Sequence, residues 1–296
     1  MKLLLSAIAL CCLTVASAEH SISRIAFGSC AMQTKAQPIW DNHDYGKHDG
    51  GAEFELKALT KSFFLDFFEG AKETTRRKTP GIYDAKVFGP KGQRVQVILL
   101  DTRWFKGPSL KDKRSTEEKR AAGLSGSMGK YLPNSNPDVT LLGEAQWRWL
   151  EQQLMLPADV RLIVSSTQVI ADQKHMDEWG NYPLERKRLF ELIASTHAEG
   201  VIILSGNVHF AELSKLEAGV YPLFDFTSSG LTHTNEAYAA AANLYRVAGP
   251  YDGLNFGIVE IDWDAKPAPV INLAAMNING EAVFEHRLPL SQLKRN

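Results

Sequence analysis

Apolar residues along the chain form two kinds of pattern, short aliphatic runs and longer segments with helical spacing. A short aliphatic run bounded by polar residues is typical of a strand buried on both faces. Apolar residues that recur every three to four positions indicate a helix packed on a core. The first pattern predicts strands over residues 22–27, 95–100, 160–165 and 201–204. The second predicts helices over 53–68, 144–155 and 184–198, the first of them amphipathic through Phe54, Leu59, Phe63, Phe64 and Phe67.

The order of these elements predicts the fold class. Strands and helices alternate through the middle of the chain, which indicates an α/β fold with helices packed on a mixed sheet. Short alternating segments at 223–227, 256–261 and 270–273 predict further antiparallel sheet in the C-terminal third. Residues 106–140 are polar and rich in Gly, Ser and Pro, and we interpret them as a long surface excursion within one domain.

The first eighteen residues have the three parts of a secretory signal peptide. Lys2 supplies the positive charge, residues 3–15 form an apolar run, and Ala16-Ser17-Ala18 matches the cleavage-site pattern. The apolar run is too short to cross a bilayer, and we find no other candidate span. We therefore expect a mature domain over 19–296 that is secreted or periplasmic.

Charge and cysteine content narrow the function classes. Without Lys2 the balance is 32 basic against 34 acidic residues, a net charge of −2. This balance gives no electrostatic reason to expect binding to nucleic acid or to an anionic membrane. Cys30 is the single thiol beyond residue 18. A lone thiol is either a small buried apolar side chain or a ligand for a transition metal.

Polar side chains follow several of the predicted strands. Cys30 follows the first, Asp101 follows the run at 95–100, and Asn207 and His209 follow the strand at 201–204. In open α/β sheets ligands bind at the carboxyl ends of the strands. The sequence therefore favours a site at this edge.

Two segments are dense in groups that bind metals. Asp41, Asn42, His43 and Asp44 stand in succession before Gly46, although a solvated polar turn would have the same composition. The second segment, 205–210, places Asn207 and His209 after an aliphatic strand, where a hydrogen-bonded structural histidine is the alternative. Oxygen and nitrogen ligands with one thiolate suit iron, manganese or zinc, and calcium suits positions with oxygen ligands alone. The chain contains no nucleophile-elbow, Walker A or dinucleotide-binding pattern.

Six segments in order resemble the PhoD-like (alkaline phosphatase D) family of the metallophosphatase superfamily. They are Phe27-Gly28-Ser29-Cys30, the block from Asp41 to Gly46, the run from Ile98 to Arg103, the run from Leu142 to Trp147, Ser205 to Phe210, and Thr227 to His233. Each segment alone is a weak signal, but their shared order spans nearly all of residues 19–296.

The resemblance implies an αββα sandwich of two mixed β-sheets flanked by helices, with a multinuclear metal centre between the sheet edges. It implies hydrolysis of small phosphate monoesters, with diesters as a further option. In this sequence it makes Cys30 a thiolate ligand to iron and adds Asp41, Asn42, Asn207 and His209 as ligands. His43 and His209 would donate to the leaving oxygen or to the developing charge. The implied metals are iron with calcium, with zinc or manganese as alternatives.

One departure from the family pattern bears on activity. Relatives carry several dozen residues before the Asp41 block, including a strand and a G-D-N-x-Y segment that supplies metal ligands. Here ten residues separate Cys30 from Asp41, too few for a crossover to a parallel strand. Asn42 also stands where many relatives have aspartate. We therefore expect a sandwich that lacks one central strand. The two resulting hypotheses are an impaired phosphatase and an inactive secreted scaffold that binds phosphate or a metal ion.

Overall fold

The computed structural model describes residues 21–29, 45, 49–70, 73–124, 128–217 and 219–295. Within these ranges, no helix is both long enough and apolar enough to span a membrane. The α-helices are α1 Lys57–Glu69, α2 Thr75–Lys78, α3 Thr116–Ala121, α4 Gly143–Leu154, α5 Pro183–Ser195 and α6 Glu236–Ala239. The strands are β1 Arg24–Phe27, β2 Asp84–Phe88, β3 Val95–Leu99, β4 Leu110–Lys111, β5 Tyr131–Leu132, β6 Val160–Val164, β7 Val201–Ser205, β8 Ala211–Glu217, β9 Pro222–Ser228, β10 Arg246–Tyr251, β11 Asn255–Asp262, β12 Val270–Asn277 and β13 Ala282–Pro289.

A seven-stranded mixed sheet forms the larger layer, in the order β10-β8-β9-β7-β6-β3-β2. Its four central strands β3, β6, β7 and β9 are parallel, so their carboxyl ends meet at one edge. The β6 and β7 side chains are all buried, as expected for continuous aliphatic strands covered on both faces. β2, β8 and β10 extend the sheet in antiparallel pairings.

A four-stranded sheet in the order β1-β11-β12-β13 faces the larger one. Each of its described pairings is antiparallel. Phe27 of β1 and Phe284 of β13 contact Phe226 of β9, with ring centroids 5.0 Å and 6.0 Å apart. These contacts join the two sheets in one apolar core. In the described residues β1 ends this sheet.

Two long helices contribute to the same core. Leu150 and Leu154 of α4 and Leu189 and Ile193 of α5 are 2% exposed or less. Glu185 of α5 ties the helices together, because its carboxylate accepts hydrogen bonds from Trp147 Nε1 at 3.0 Å and from the backbone at the start of α4. The predicted α/β sandwich is confirmed.

Two local predictions differ from the structure. The helix predicted over 53–68 forms four residues later, because Ala52 N donates to Lys106 O in a loop before it. Leu59, Phe63 and Phe67 are 50–54% exposed, and the buried face consists of Lys61, Phe64 and Leu65. The excursion over 106–140 contains β4, α3 and β5, and Leu124 and Met128 in it are buried against a small cluster.

Candidate active site

The loop after β7 places two polar side chains at the carboxyl edge of the larger sheet. Val208 and Phe210 are buried at 3% and 0% exposure, whereas Asn207 and His209, which alternate with them, are half-buried. The alternation keeps the amide and the imidazole out of the apolar core. This is the placement that the sequence predicts for Asn207 and His209.

The backbone of this loop is strained at both polar positions. Asn207 has φ 78° and His209 has φ 61°, in the left-handed region that costs a residue other than glycine of order 1–3 kcal/mol. Surrounding hydrogen bonds hold the conformation. His209 N donates to Ser229 Oγ at 3.1 Å, and Asn235 N donates to His209 O at 3.1 Å. Strain of this kind concentrates at functional sites, so it supports the assignment of the loop.

A second imidazole lies against the first. The His209 and His233 rings meet edge to face with centroids 4.2 Å apart, and the Tyr238 ring lies 5.8 Å from His209. His233 comes from the segment after β9, where Leu231 N donates to Ser29 O at 3.2 Å. Sequence reasoning assigned no role to His233, although it ends the Thr227–His233 segment that carries the family resemblance.

The end of β1 meets the end of β7 at this point. A Cβ atom on Gly206 would lie 2.7 Å from Ser29 Cβ, so the two backbones approach as closely as a glycine permits. Ser29 immediately precedes Cys30. Cys30 itself lies outside the described residues, as do Asp41, Asn42 and His43, and their predicted roles stay predictions.

Asp101, at the end of β3, has a structural role. One carboxylate oxygen accepts from Arg103 N and Trp104 N at 2.9 and 2.8 Å, and the other accepts from Ile82 N at 2.9 Å and Tyr45 Oη at 2.7 Å. Four donors on one buried carboxylate fix the turn that follows β3. The turn carries Arg103, whose guanidinium contacts the Asp177 carboxylate.

Arg103 forms a buried ion pair behind Asn207. Its guanidinium contacts the Asp177 carboxylate, Lys106 Nζ lies 3.5 Å from the same group, and the three residues are 3–5% exposed. Burial disfavours the charged guanidinium, but Asp177 and Asp49 outweigh it and hold the pKa of Arg103 above its ordinary value. Burial lowers the pKa of Lys106, and Asp177 opposes that shift. The Asn207 amide joins this group, because Nδ2 donates to Asp177 O at 2.9 Å.

Comparison with known proteins identifies the family. The family model described as PhoD-like phosphatase matches residues 76–243, more than half of the chain. The chain belongs to the PhoD-like phosphatases. The match contains Asn207, His209, His233 and the Arg103–Asp177 pair, and it begins after Cys30 and the Asp41 block.

Two individual PhoD-like proteins are also similar to this chain. Alkaline phosphatase D of Bacillus subtilis (strain 168) is 31% identical over 147 residues, which are 47% of this chain and 22% of that protein. The solved structure titled "Structure of PhoD" aligns with TM-score 0.52 and 16% identity, over 84% of this chain and 54% of that one. The fold is therefore shared, and the chain spans between about a fifth and a half of the length of these relatives.

The described donors fit part of a metal site in a PhoD-like phosphatase. Asn207 and His209 supply an amide and an imidazole, both established metal ligands, on a backbone held by surrounding bonds. Among the residues that the structure describes, no three His, Cys, Asp or Glu side chains form a cluster with metal-binding geometry. The further ligands that the sequence predicts, Cys30, Asp41 and Asn42, lie outside the described residues.

Proposed function

We propose that the protein is a metal-dependent phosphatase that hydrolyses small phosphate monoesters at the carboxyl end of β7. The observation that supports this most directly is the pair of left-handed polar residues, Asn207 and His209, within the part of the chain matched by the family model. Bound metal ions would supply a hydroxide nucleophile near neutral pH and positive charge beside the phosphoryl oxygens.

The protein's own side chains would divide the remaining work. Cys30, Asp41, Asn42, Asn207 and His209 are the proposed metal-holding residues, with iron and calcium as the metals and zinc or manganese as alternatives. His43 or His209 would donate a proton to the leaving oxygen. The packing of His233 against His209 would restrict the orientation of that ring.

A non-catalytic scaffold that binds phosphate or a metal ion is the second candidate. It is favoured by the ten residues between Cys30 and Asp41, too few to contain the strand and ligands that the family resemblance predicts before the Asp41 block. Losing an outer-shell partner of a metal site typically costs 10- to 100-fold. The loss of direct ligands would reduce metal affinity or activity further. An enzyme with strongly reduced turnover is therefore intermediate between the two candidates.

Elemental analysis and turnover of p-nitrophenyl phosphate on one purified sample separate these candidates. His197→Ala is a matched control for His209→Ala, because His197 also has a left-handed backbone, with φ 56°, and lies four residues before β7 rather than four after it. Metal near one equivalent per chain, with turnover lost in His209→Ala and retained in His197→Ala, is the result we expect. A folded, metal-free protein without turnover would refute the enzyme proposal and leave the scaffold. Turnover of bis(p-nitrophenyl) phosphate in preference to the monoester would assign a diesterase.

We also propose that residues 1–18 are removed during export, which leaves one domain over 19–296 in the periplasm or outside the cell. The positive, apolar and small-residue parts of the segment support this. N-terminal sequencing of protein recovered from an exporting host should begin at Glu19, and a sequence beginning at Met1 would contradict the proposal.

A further inference from the structure

The direction of the Asn207 side-chain amide follows from its contact with Asp177. Nδ2 donates to the Asp177 backbone oxygen at 2.9 Å. A carbonyl oxygen accepts hydrogen bonds and cannot donate, so the nitrogen end of the amide must face it. Oδ1 is therefore turned away from the segment that carries Asp177. The amide keeps this direction as long as that backbone oxygen keeps its place.

The Asp177 side chain fixes the position of its own backbone. Its carboxylate is ion-paired with Arg103 and lies 3.5 Å from Lys106 Nζ, at 4% exposure. Neighbouring bonds hold the same segment, because His175 N donates to Glu178 Oε1 at 2.8 Å and Trp179 N donates to Gln168 O at 3.0 Å. The ion pair links this segment to the turn after β3, beside the site.

Arg103 belongs to the end of a different strand. It lies four residues beyond Leu99, the last residue of β3, and Asp101 holds its backbone N–H at 2.9 Å. The contacts thus run from β3 through Arg103 and Asp177 to the Asn207 amide after β7. They join the carboxyl ends of two parallel strands through side chains that are almost completely buried.

The energetics of buried ion pairs indicate a purpose other than stability. Removing two charges from water costs about as much as their attraction returns, so an apolar pair of similar volume is often as stable. A buried pair does fix geometry, because each charge needs its partner in one place. In this protein the ion pair fixes the segment whose backbone oxygen accepts the hydrogen bond from the Asn207 amide.

We infer that the Arg103–Asp177 ion pair is a positioning device that sets which end of the Asn207 amide faces the site. This rests on the proposed function, in which the Asn207 oxygen meets a cation. An amide turned by half a rotation would present its NH₂ group there, and NH₂ hydrogens repel a cation. Neither Arg103 nor Asp177 would contact the metal or the substrate.

Hydrogen exchange of the Asn207 amide measures this orientation without any metal. In ¹⁵N-labelled metal-free protein the Asn207 NH₂ signals are identified by their loss in Asn207→Asp. We expect the proton that faces Asp177 O to exchange at least about ten times faster in Asp177→Asn. The double variant Arg103→Met/Asp177→Leu removes both charges together, so it stays informative if the single change does not fold. Lys106 remains satisfied there by Asp49 O and Ser109 Oγ, at 2.8 and 3.2 Å.

Glu69→Gln is the matched control. The Glu69 side chain is 7% exposed and ion-paired with Arg76, and its described contacts, with Arg76 and Thr74, lie within residues 69–76. We expect it to lower the melting temperature while leaving Asn207 exchange unchanged. Unchanged exchange in both Asp177 variants, or equal acceleration in Glu69→Gln, would overturn the inference.

Titration of the same metal-free proteins with Mn²⁺ gives the second readout. Loss of a positioning contact typically weakens metal binding by about 10- to 100-fold, and we expect such a loss in the Asp177 variants and not in Glu69→Gln. Parental protein that binds no Mn²⁺ would count against the proposed function, while the exchange rates would still decide the inference. Parental binding with equal affinity in the Asp177 variants would refute the inference and leave the proposed function standing.

Discussion

The contact between Gly206 and Ser29 makes a sharp prediction about how the site is assembled. In Gly206→Ala the new Cβ atom would lie 2.7 Å from Ser29 Cβ, whereas carbon atoms in contact are roughly 3.5–4.0 Å apart. The ends of β1 and β7 must then separate by about 1 Å, and overpacking of this kind typically costs about 1–3 kcal/mol. A displacement of about 1 Å at a catalytic site can reduce turnover by roughly 100-fold.

Urea unfolding and p-nitrophenyl phosphate turnover measure the two effects separately. The matched control is the double variant Ser29→Gly/Gly206→Ala, in which the atom that the alanine would strike is absent. We expect Gly206→Ala to lose both stability and turnover, and we expect the double variant to regain most of each. If Gly206→Ala is as stable and active as the parent, the two strand ends do not meet as described. If the double variant regains nothing, a cause other than the contact with Ser29 is responsible.

Two further predictions concern buried carboxylates. Burial raises the pKa of Glu178 from 4.5 to about 7. Protonation of this carboxyl therefore stabilises the folded state in full below pH 4.5, and that stabilisation is lost as pH rises through about 7. The free energy of unfolding of Glu178→Gln, relative to that of the parent, should therefore rise by about 3 kcal/mol between pH 4.5 and 7.5 in thermal melts. A difference that stays constant with pH would contradict this. Asp101→Ala leaves the four donors on that carboxylate without an acceptor and should cost about 3 kcal/mol in urea unfolding. The exposed control Asp138→Ala should cost about 0.5 kcal/mol or less, and equal losses would refute the structural role of Asp101.

The central α/β elements could be predicted because their sequence patterns reflect complete burial. β6 and β7 are aliphatic runs whose bounds differ from the prediction by one residue, and α4 is displaced by one residue. Strands such as β13, in which most residues are exposed or half-buried and three are charged or histidine, have too weak a hydrophobic pattern to be predicted. β8 begins with Ala211 and Glu212, and the sequence does not show that Arg246 pairs with that buried carboxylate.

Of the apolar residues predicted to face the core from α1, Phe64 is buried and Leu59, Phe63 and Phe67 are exposed, for a related reason. Periodicity shows that apolar residues share a face, but this helix has apolar residues on two faces, so the pattern cannot tell which one the core covers. Lys61 is buried because its amine donates to Thr79 O, a contact made through tertiary structure. Phe63 and Phe67 lie on the exposed side.

For the candidate site, residue types after a strand predicted the placement of Asn207 and His209. The partners of that loop could not be predicted in this way. His233 comes 24 positions after His209, and Asp177 and Arg103 come from other loops. Their proximity depends on the order of strands in the sheet, which a single sequence does not determine. The same limit applies to Asp101, whose bonds to backbone donors gave it a structural role.

The pairing of β1 with β11 has a consequence for the order of events during synthesis. Arg24 lies opposite Glu260, 236 positions later. At about 5–20 residues per second, roughly 10 to 50 seconds of translation separate the two strands. β1 therefore has to wait until β11 has been made before it gains this partner, and contacts of such high sequence separation form slowly. Because β1 delivers Ser29 to Gly206, the site closes among the last events of folding, and a chain released before β11 would have its central sheet but an unfinished site.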